Sequence, residues 1–214
     1  GIFLAGTFLV LLGMADDKYE LDAITKLAGQ ALAAGILLLY GIQILWLPIN
    51  GVTMLPPSVG QLLTVLVVLV TINAVNFVDG LDGLAAGIVA ISGSAFFAFA
   101  YLLAVVYGFN RAGAPSLITA IAVGVCLGFL PHNFHPARIF MGDSGAMVLG
   151  YLLSVVSIIG VLKSTIAISL LLPIIVLGLP ILDTGFAILR RFRQNKAIFK
   201  GDTDHVHHRL VKKG

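Results

Sequence analysis

Residues 73–87 read NAVNFVDGLDGLAAG, set between stretches that are almost entirely hydrocarbon. Asn73, Asn76 and Asp79 recur every three residues at the end of an apolar run, so on a helix they share one face with a slow drift. Buried amides need hydrogen-bond partners. Bonding between membrane helices accounts for one such Asn, but not for an Asn–Asn–Asp file that ends at a helix C-terminus. Asp82 has two readings: a cap for the helix that follows, or a working carboxylate in a loop that Gly80, Gly83 and Gly87 open to close approach.

Three further clusters carry polar chemistry. GMADDKYELDAITK (13–26) puts Asp16 and Asp17 at a helix C-terminus, where the macrodipole disfavours anions by ~0.3–1 kcal/mol. Like charges ~4 Å apart add up to ~4 kcal/mol at an effective dielectric near 20. A solvated loop offset by Lys18 and Lys26 is the plain alternative. If the turn stays helical, the two neighbours point apart, so one metal ion does not take both and they have separate tasks. In PARIFMGDSGAM (136–147), Asp143 or Ser144 is placed to N-cap the next helix. A helix N-terminus with small residues also binds phosphate, an acid beside it can hold Mg²⁺, and Arg138 complements phosphate. GDTDHVHHRLVKK (201–213) gathers His205, His207, His208 and Arg209 near Asp202 and Asp204. Zinc fits poorly, since no Cys accompanies the histidines and their spacing is not the helical i, i+4 pair. Phosphate recognition fits a basic loop better, and a solvated tail is the bland alternative.

The elements that must position these residues are membrane helices. The 214-residue chain is 59% hydrophobic and 11% charged, against about 25% charged in soluble domains. This composition predicts an all-α, polytopic membrane bundle in a single domain, with 190–214 as a basic, His-containing loop. Apolar stretches mark seven spans: 1–15, 27–47, 59–78, 84–107, 115–131, 145–162 and 166–189. Pro115 and Pro131 bound the fifth, and Pro173 and Pro180 are set to kink the seventh. The first is about 22 Å long as a helix, short of a bilayer core of about 30 Å, which suggests a piece of a longer membrane protein. Cys126, the sole cysteine, reads as packing. No basic and aromatic stripe points to nucleic acid.

Strict alternation of seven spans places 16–26, 79–83, 132–144 and 190–214 on one side, with eleven of the thirteen Lys and Arg residues. The positive-inside rule makes that side cytoplasmic. All ten acids fall there or within two turns of it, although acids hardly influence topology. Their gathering marks a site at one interface. A cation-coupled transporter would instead carry ionisable groups deep in several spans, and only Asp183 approaches that description.

Taken in order, the Asp-Asp pair with KLAGQ (26–30), NAVNFVDGLDGLAAG, HPARIFMGDSG (135–145) and HVHHRL (205–210) resemble the polyprenyl-phosphate N-acetylhexosamine-1-phosphate transferase family. HVHHRL is similar to the branch that moves GlcNAc-1-phosphate from UDP-GlcNAc to undecaprenyl phosphate for wall or surface polymers, with release of UMP. The branch that transfers phospho-MurNAc-pentapeptide usually shows three consecutive histidines instead. The resemblance implies Mg²⁺, with Mn²⁺ as a substitute, held by Asp143 and Asn76. It implies that Asp16 meets the acceptor phosphate and removes its proton, that Asp17 supports the site and that Asp79 belongs to the catalytic centre. Asp82, Leu81 and Phe140 are expected around uracil. Lys26, Asn73, Arg138, His205, His207, His208 and Arg209 are expected on phosphates or sugar, and the family precedent favours a homodimer. Asn133 and Phe134 also match family positions, while His132 and His135 read as structural.

Overall fold

The computed structural model describes residues 1–47, 53–108 and 112–161. The expected seventh span and the basic loop, with His205, His207, His208 and Arg209, lie outside them. Within them are six helices: α1 (Ile2–Tyr19), α2 (Ala23–Leu39), α3 (Pro57–Val78), α4 (Leu84–Tyr101, extended by a π turn Leu102–Val106), α5 (Gly113–Asn133) and α6 (Gly142–Val161). A two-stranded antiparallel hairpin, β1 (Trp46–Leu47) with β2 (Thr53–Met54), links α2 to α3. Among the described residues, α3, α4 with its π turn, α5 and α6 are long and apolar enough to cross a bilayer, and α2 is a shorter apolar helix.

Several helix limits differ from those read in the sequence. The expected span 27–47 is a helix over 23–39 instead. Asp22 starts it early by accepting the Ile24 and Thr25 amides. Gly41, at φ 72°, stops it in a Schellman arrangement, with Ile42 N–H on Leu37 O and Gly41 N–H on Leu38 O. α5 outruns its expected bounds because neither proline ends it. Pro115 sits in the first turn, where an N–H has no intrahelical partner, and Pro131 sits in the last turn. α1 continues to Tyr19 and takes the Asp-Asp pair into its final turn.

α6 is the hub. One buried cluster joins Leu9 of α1, Leu37 of α2, Val68 and Ile72 of α3 and Met147, Tyr151 and Val155 of α6. A second joins Val75 of α3, Val89 of α4, Cys126 of α5 and Leu149 and Leu153 of α6. Apolar side chains such as Phe3, Leu39, Ile91 and Leu117 face outward, as lipid-facing surfaces do. Since lipid is as apolar as the core, close backbone contact must do what the hydrophobic effect does in water. Gly150 supplies it between α6 and α3: a Cβ there would stand 2.7 Å from Ile72 Cα. One turn beyond Ile72 lies Asn76.

Candidate active site

The α1–α2, α3–α4 and α5–α6 connections meet at one end of the bundle. At the end of α1, Glu20 adopts φ 50° and its N–H bonds Asp16 O, closing the helix and turning the chain. Asp16 then points inward. Its Oδ1 accepts the Leu21 N–H at 2.9 Å, and its buried Oδ2 stands 2.5 Å from the Lys26 ammonium without a well-directed hydrogen bond. Lys26, one turn into α2, also lies 3.3 Å from Asp143 Oδ2. The other oxygen of Asp143 accepts from the Asn76 amide. Four helices thus each contribute one side chain to a single cluster: Asp16, Lys26, Asn76 and Asp143.

Asp17 points elsewhere, as a helical turn requires of its neighbour. Its Oδ1 accepts the Asp143 N–H at 2.8 Å, and its Oδ2 accepts the Ser144 hydroxyl at 2.6 Å and the Ser144 N–H at 3.3 Å. The N-cap expected from Asp143 or Ser144 therefore comes from another helix, and both of those residues lie inside α6.

The Asn–Asn–Asp file divides three ways. Asn73 donates to Gln30 Oε1 on α2 at 2.5 Å and to its own Leu69 O at 2.8 Å. Asn76 meets Asp143. Asp79 closes α3, partly buried; burial pushes its carboxyl up to about 6, and the charge on Asp143 adds to the rise. Asp82 does not cap α4, whose N-cap residue is Gly83 without a side-chain bond. It joins the α3–α4 loop to the α5–α6 loop instead, accepting the Ala137 N–H at 3.1 Å and lying 2.9 Å from His135 Nδ1. The Ala137 N–H, followed by His135, holds the Asp82 carboxyl below the usual carboxylate range. Asn133 reinforces that junction, with Oδ1 on Gly83 N–H at 2.9 Å and Nδ2 on Ile139 O at 3.0 Å. Leu81 lies on the first of these loops, and Arg138 and Phe140 are exposed on the second.

Gln30, Ser144 and His135 are neighbours of the candidate site to which the sequence gave no role in it: Ser144 was read as a cap candidate, His135 as structural, and Gln30 stood only within KLAGQ. Gln30 had a legible signal, a polar residue within an apolar helix and fully enclosed here at 2% exposure. The pairings of Ser144 and His135 had none. Among the described residues no three His, Cys, Asp or Glu side chains gather as a ready metal cage, so a divalent ion at Asp143 would share its shell with substrate oxygens and water.

Comparison with known proteins extends this picture. The model of the family described as glycosyl transferase family 4 matches residues 1–161. A decaprenyl-phosphate N-acetylglucosaminephosphotransferase of Mycobacterium tuberculosis is 39% identical over 229 residues, covering 100% of this chain and 57% of the relative. A Bacillus subtilis protein named "Probable undecaprenyl-phosphate N-acetylglucosaminyl 1-phosphate transferase" is 39% identical over 213 residues, with 96% and 56% covered. A phospho-N-acetylmuramoyl-pentapeptide-transferase of Rickettsia akari is 37% identical over only 106 residues, 48% of this chain and 27% of the relative. The chain spans little more than half the length of the first two relatives.

Proposed function

Because the chain belongs to glycosyl transferase family 4, we propose that the whole protein transfers GlcNAc-1-phosphate from a UDP-sugar to a polyprenyl phosphate and releases UMP, as a Mg²⁺-dependent enzyme of a bacterial plasma membrane with its site facing the cytoplasm. The observation that carries this reading is the convergence of Asp16, Lys26, Asn76 and Asp143 from four helices at one end of an apolar bundle. A lipid phosphate and a soluble nucleotide can meet only at the membrane surface, which is where such a cluster is useful. The GlcNAc reading is favoured by relatives of that name matching 100% and 96% of the chain.

The residues present fit a magnesium ion. Two carboxylates converge on one ammonium, and the inner oxygen of Asp16 lacks a directed donor, a setting that tolerates more positive charge. Asp143 would hold the ion, with Asn76 joining through its amide oxygen once the amide turns over. When bound, Mg²⁺ (or Mn²⁺ in its place) neutralises the transferring phosphoryl group, whose reaction depends on positioning and charge stabilisation.

The side chains do the rest. Lys26 draws in the acceptor phosphate, and as it swings away Asp16 Oδ2 is left to take the acceptor's proton. The lipid phosphate is then a competent nucleophile and attacks the β-phosphate of the donor directly. Asp79 keeps the reaction centre negative enough to retain the cation. Leu81, Asp82 and Phe140 border the uracil, while Asn73 and Arg138 steady phosphate or sugar, together with His205, His207, His208 and Arg209. A homodimer is part of the same proposal.

The test combines the full-length protein with undecaprenyl phosphate, Mg²⁺ and a panel of UDP-sugars that includes UDP-MurNAc-pentapeptide, with lipid product and UMP both measured. A GlcNAc-pyrophosphate lipid is expected. Asp143→Asn should abolish UMP release while the protein stays folded, and an unchanged turnover in that variant would end the metal assignment.

A further inference from the structure

We infer that Gly13 and Asp17 of α1 form an interlock that holds the first turn of α6, and that Asp17 serves the reaction as a positioning residue and not by touching metal or substrate. The inference rests on the transferase reading above and assigns how that site is kept in register.

Gly13 and Asp17 are four residues apart, so they lie one above the other on a single face of α1. That face is pressed against α6. A Cβ on Gly13 would stand 2.4 Å from Ser144 Cα and 2.8 Å from Ser144 N, distances no side chain permits, so α1 reaches the backbone of α6 only because residue 13 has none. One turn later the Asp17 carboxylate takes three donors from the same two residues, the Asp143 and Ser144 N–H groups and the Ser144 hydroxyl. Gly142 completes the fit. It enters α6 at φ 68°, and a Cβ there would lie 3.1 Å from each Asp17 oxygen. Three of the roughly four lone-pair sites of Asp17 are taken by these donors, whereas Asp143 keeps its own side chain turned toward Lys26 and Asn76. The carboxylate of Asp17 fixes the backbone of Asp143, and through it the direction of the Asp143 side chain.

Asn separates this role from a chemical one. Its amide oxygen still accepts the Asp143 N–H and its NH₂ can donate to the Ser144 hydroxyl, so two of the three bonds survive and only the 3.3 Å bond from the Ser144 N–H is lost. It cannot carry a proton or offset a cation. In the full-length protein, Asp17→Ala should weaken Mn²⁺ binding, followed by electron paramagnetic resonance, and turnover by about 10–100-fold, the usual loss when a partner behind a metal ligand is removed. Asp17→Asn should restore most of both. Gly13→Ala, which brings no new chemistry, should raise the Mn²⁺ concentration needed for half-saturation. Deuterium exchange at 143–144 should speed up in Asp17→Ala and in Gly13→Ala. Asp17→Asn as damaging as Asp17→Ala, with Gly13→Ala silent in both binding and exchange, overturns the interlock. Asp143→Asn is the control for the reading beneath it: undiminished Mn²⁺ binding there removes the metal site, while the exchange data still decide whether α1 clamps α6.

Discussion

Replacing Lys26 by Met keeps the aliphatic stem and deletes the ammonium. Asp16 feels this most, because its side chain is 1% exposed and the ammonium 2.5 Å away is the sole cation paired with it among the described residues. Removing one partner of a buried ion pair typically costs ~3–5 kcal/mol. A second route gives a similar figure: the stranded carboxylate can take a proton instead, and at pH 7 that costs about 4 kcal/mol, from roughly three pH units at 1.36 kcal/mol each. Asp143 adds little, since it and Lys26 are each near 30% exposed and such pairs are worth about 0–1 kcal/mol. The Leu21 N–H remains on Asp16 Oδ1 and trims the loss. The expected destabilisation is about 3 kcal/mol, measured by unfolding in detergent at pH 7 with EDTA present. Lowering the pH should shrink the deficit, because protonation removes the stranded charge. Adding Asp16→Asn to Lys26→Met should recover most of it for the same reason. A Lys26→Met protein as stable as the parent, or one that Asp16→Asn does not rescue, would refute the claim that Lys26 neutralises a buried Asp16.

Three further outcomes follow from the geometry. The Asp79 carboxyl is raised by the fold to about 6, so its ionised form opposes folding, and stability falls as pH rises from the unfolded value toward 6; in EDTA, Asp79→Asn should be more stable than the parent at pH 7, with the gain gone near pH 4. Asn133→Ala strips the bonds to Gly83 N–H and Ile139 O and should cost about 1–3 kcal/mol, with faster proteolysis of the 134–141 loop as its sign. Gly150→Ala pushes a methyl to within 2.7 Å of Ile72 Cα; the overpacking should cost about 1–3 kcal/mol and lower Mn²⁺ affinity by displacing Asn76 from Asp143, which the same resonance titration would detect.

Helix formation was legible because hydrophobicity is a local property of the chain. Asn73, Asn76 and Asp79 were read as one helical face, and the two neighbouring acids as pointing apart; both follow from the helix repeat alone. Proline and apolar run-length misled at α5 and α2. Pro115 and Pro131 are tolerated in terminal turns, and the stop at Gly41 depends on a left-handed residue, not on the end of an apolar run. Capping misled in a more instructive way. An N-cap read from the chain lies within a few residues of its helix, and the cap reading, one of two at each place, put Asp143 or Ser144 on α6 and Asp82 on α4. The α6 amides are satisfied by Asp17, 126 residues away from Asp143, and Asp82 serves the loop opposite.

Residue types and their order along the chain were enough to identify a membrane helix bundle, because transfer free energy and helical periodicity act residue by residue. Which oxygen faces which donor was decided only when the helices packed. Asp16 and Asp17 are adjacent and chemically identical, yet one lies buried against Lys26 and the other spans to α6. Hydrogen bonds and ion pairs are short-ranged, so their partners are set by the approach of backbones at Gly13 and Gly150, and no pattern along the chain encodes that distance.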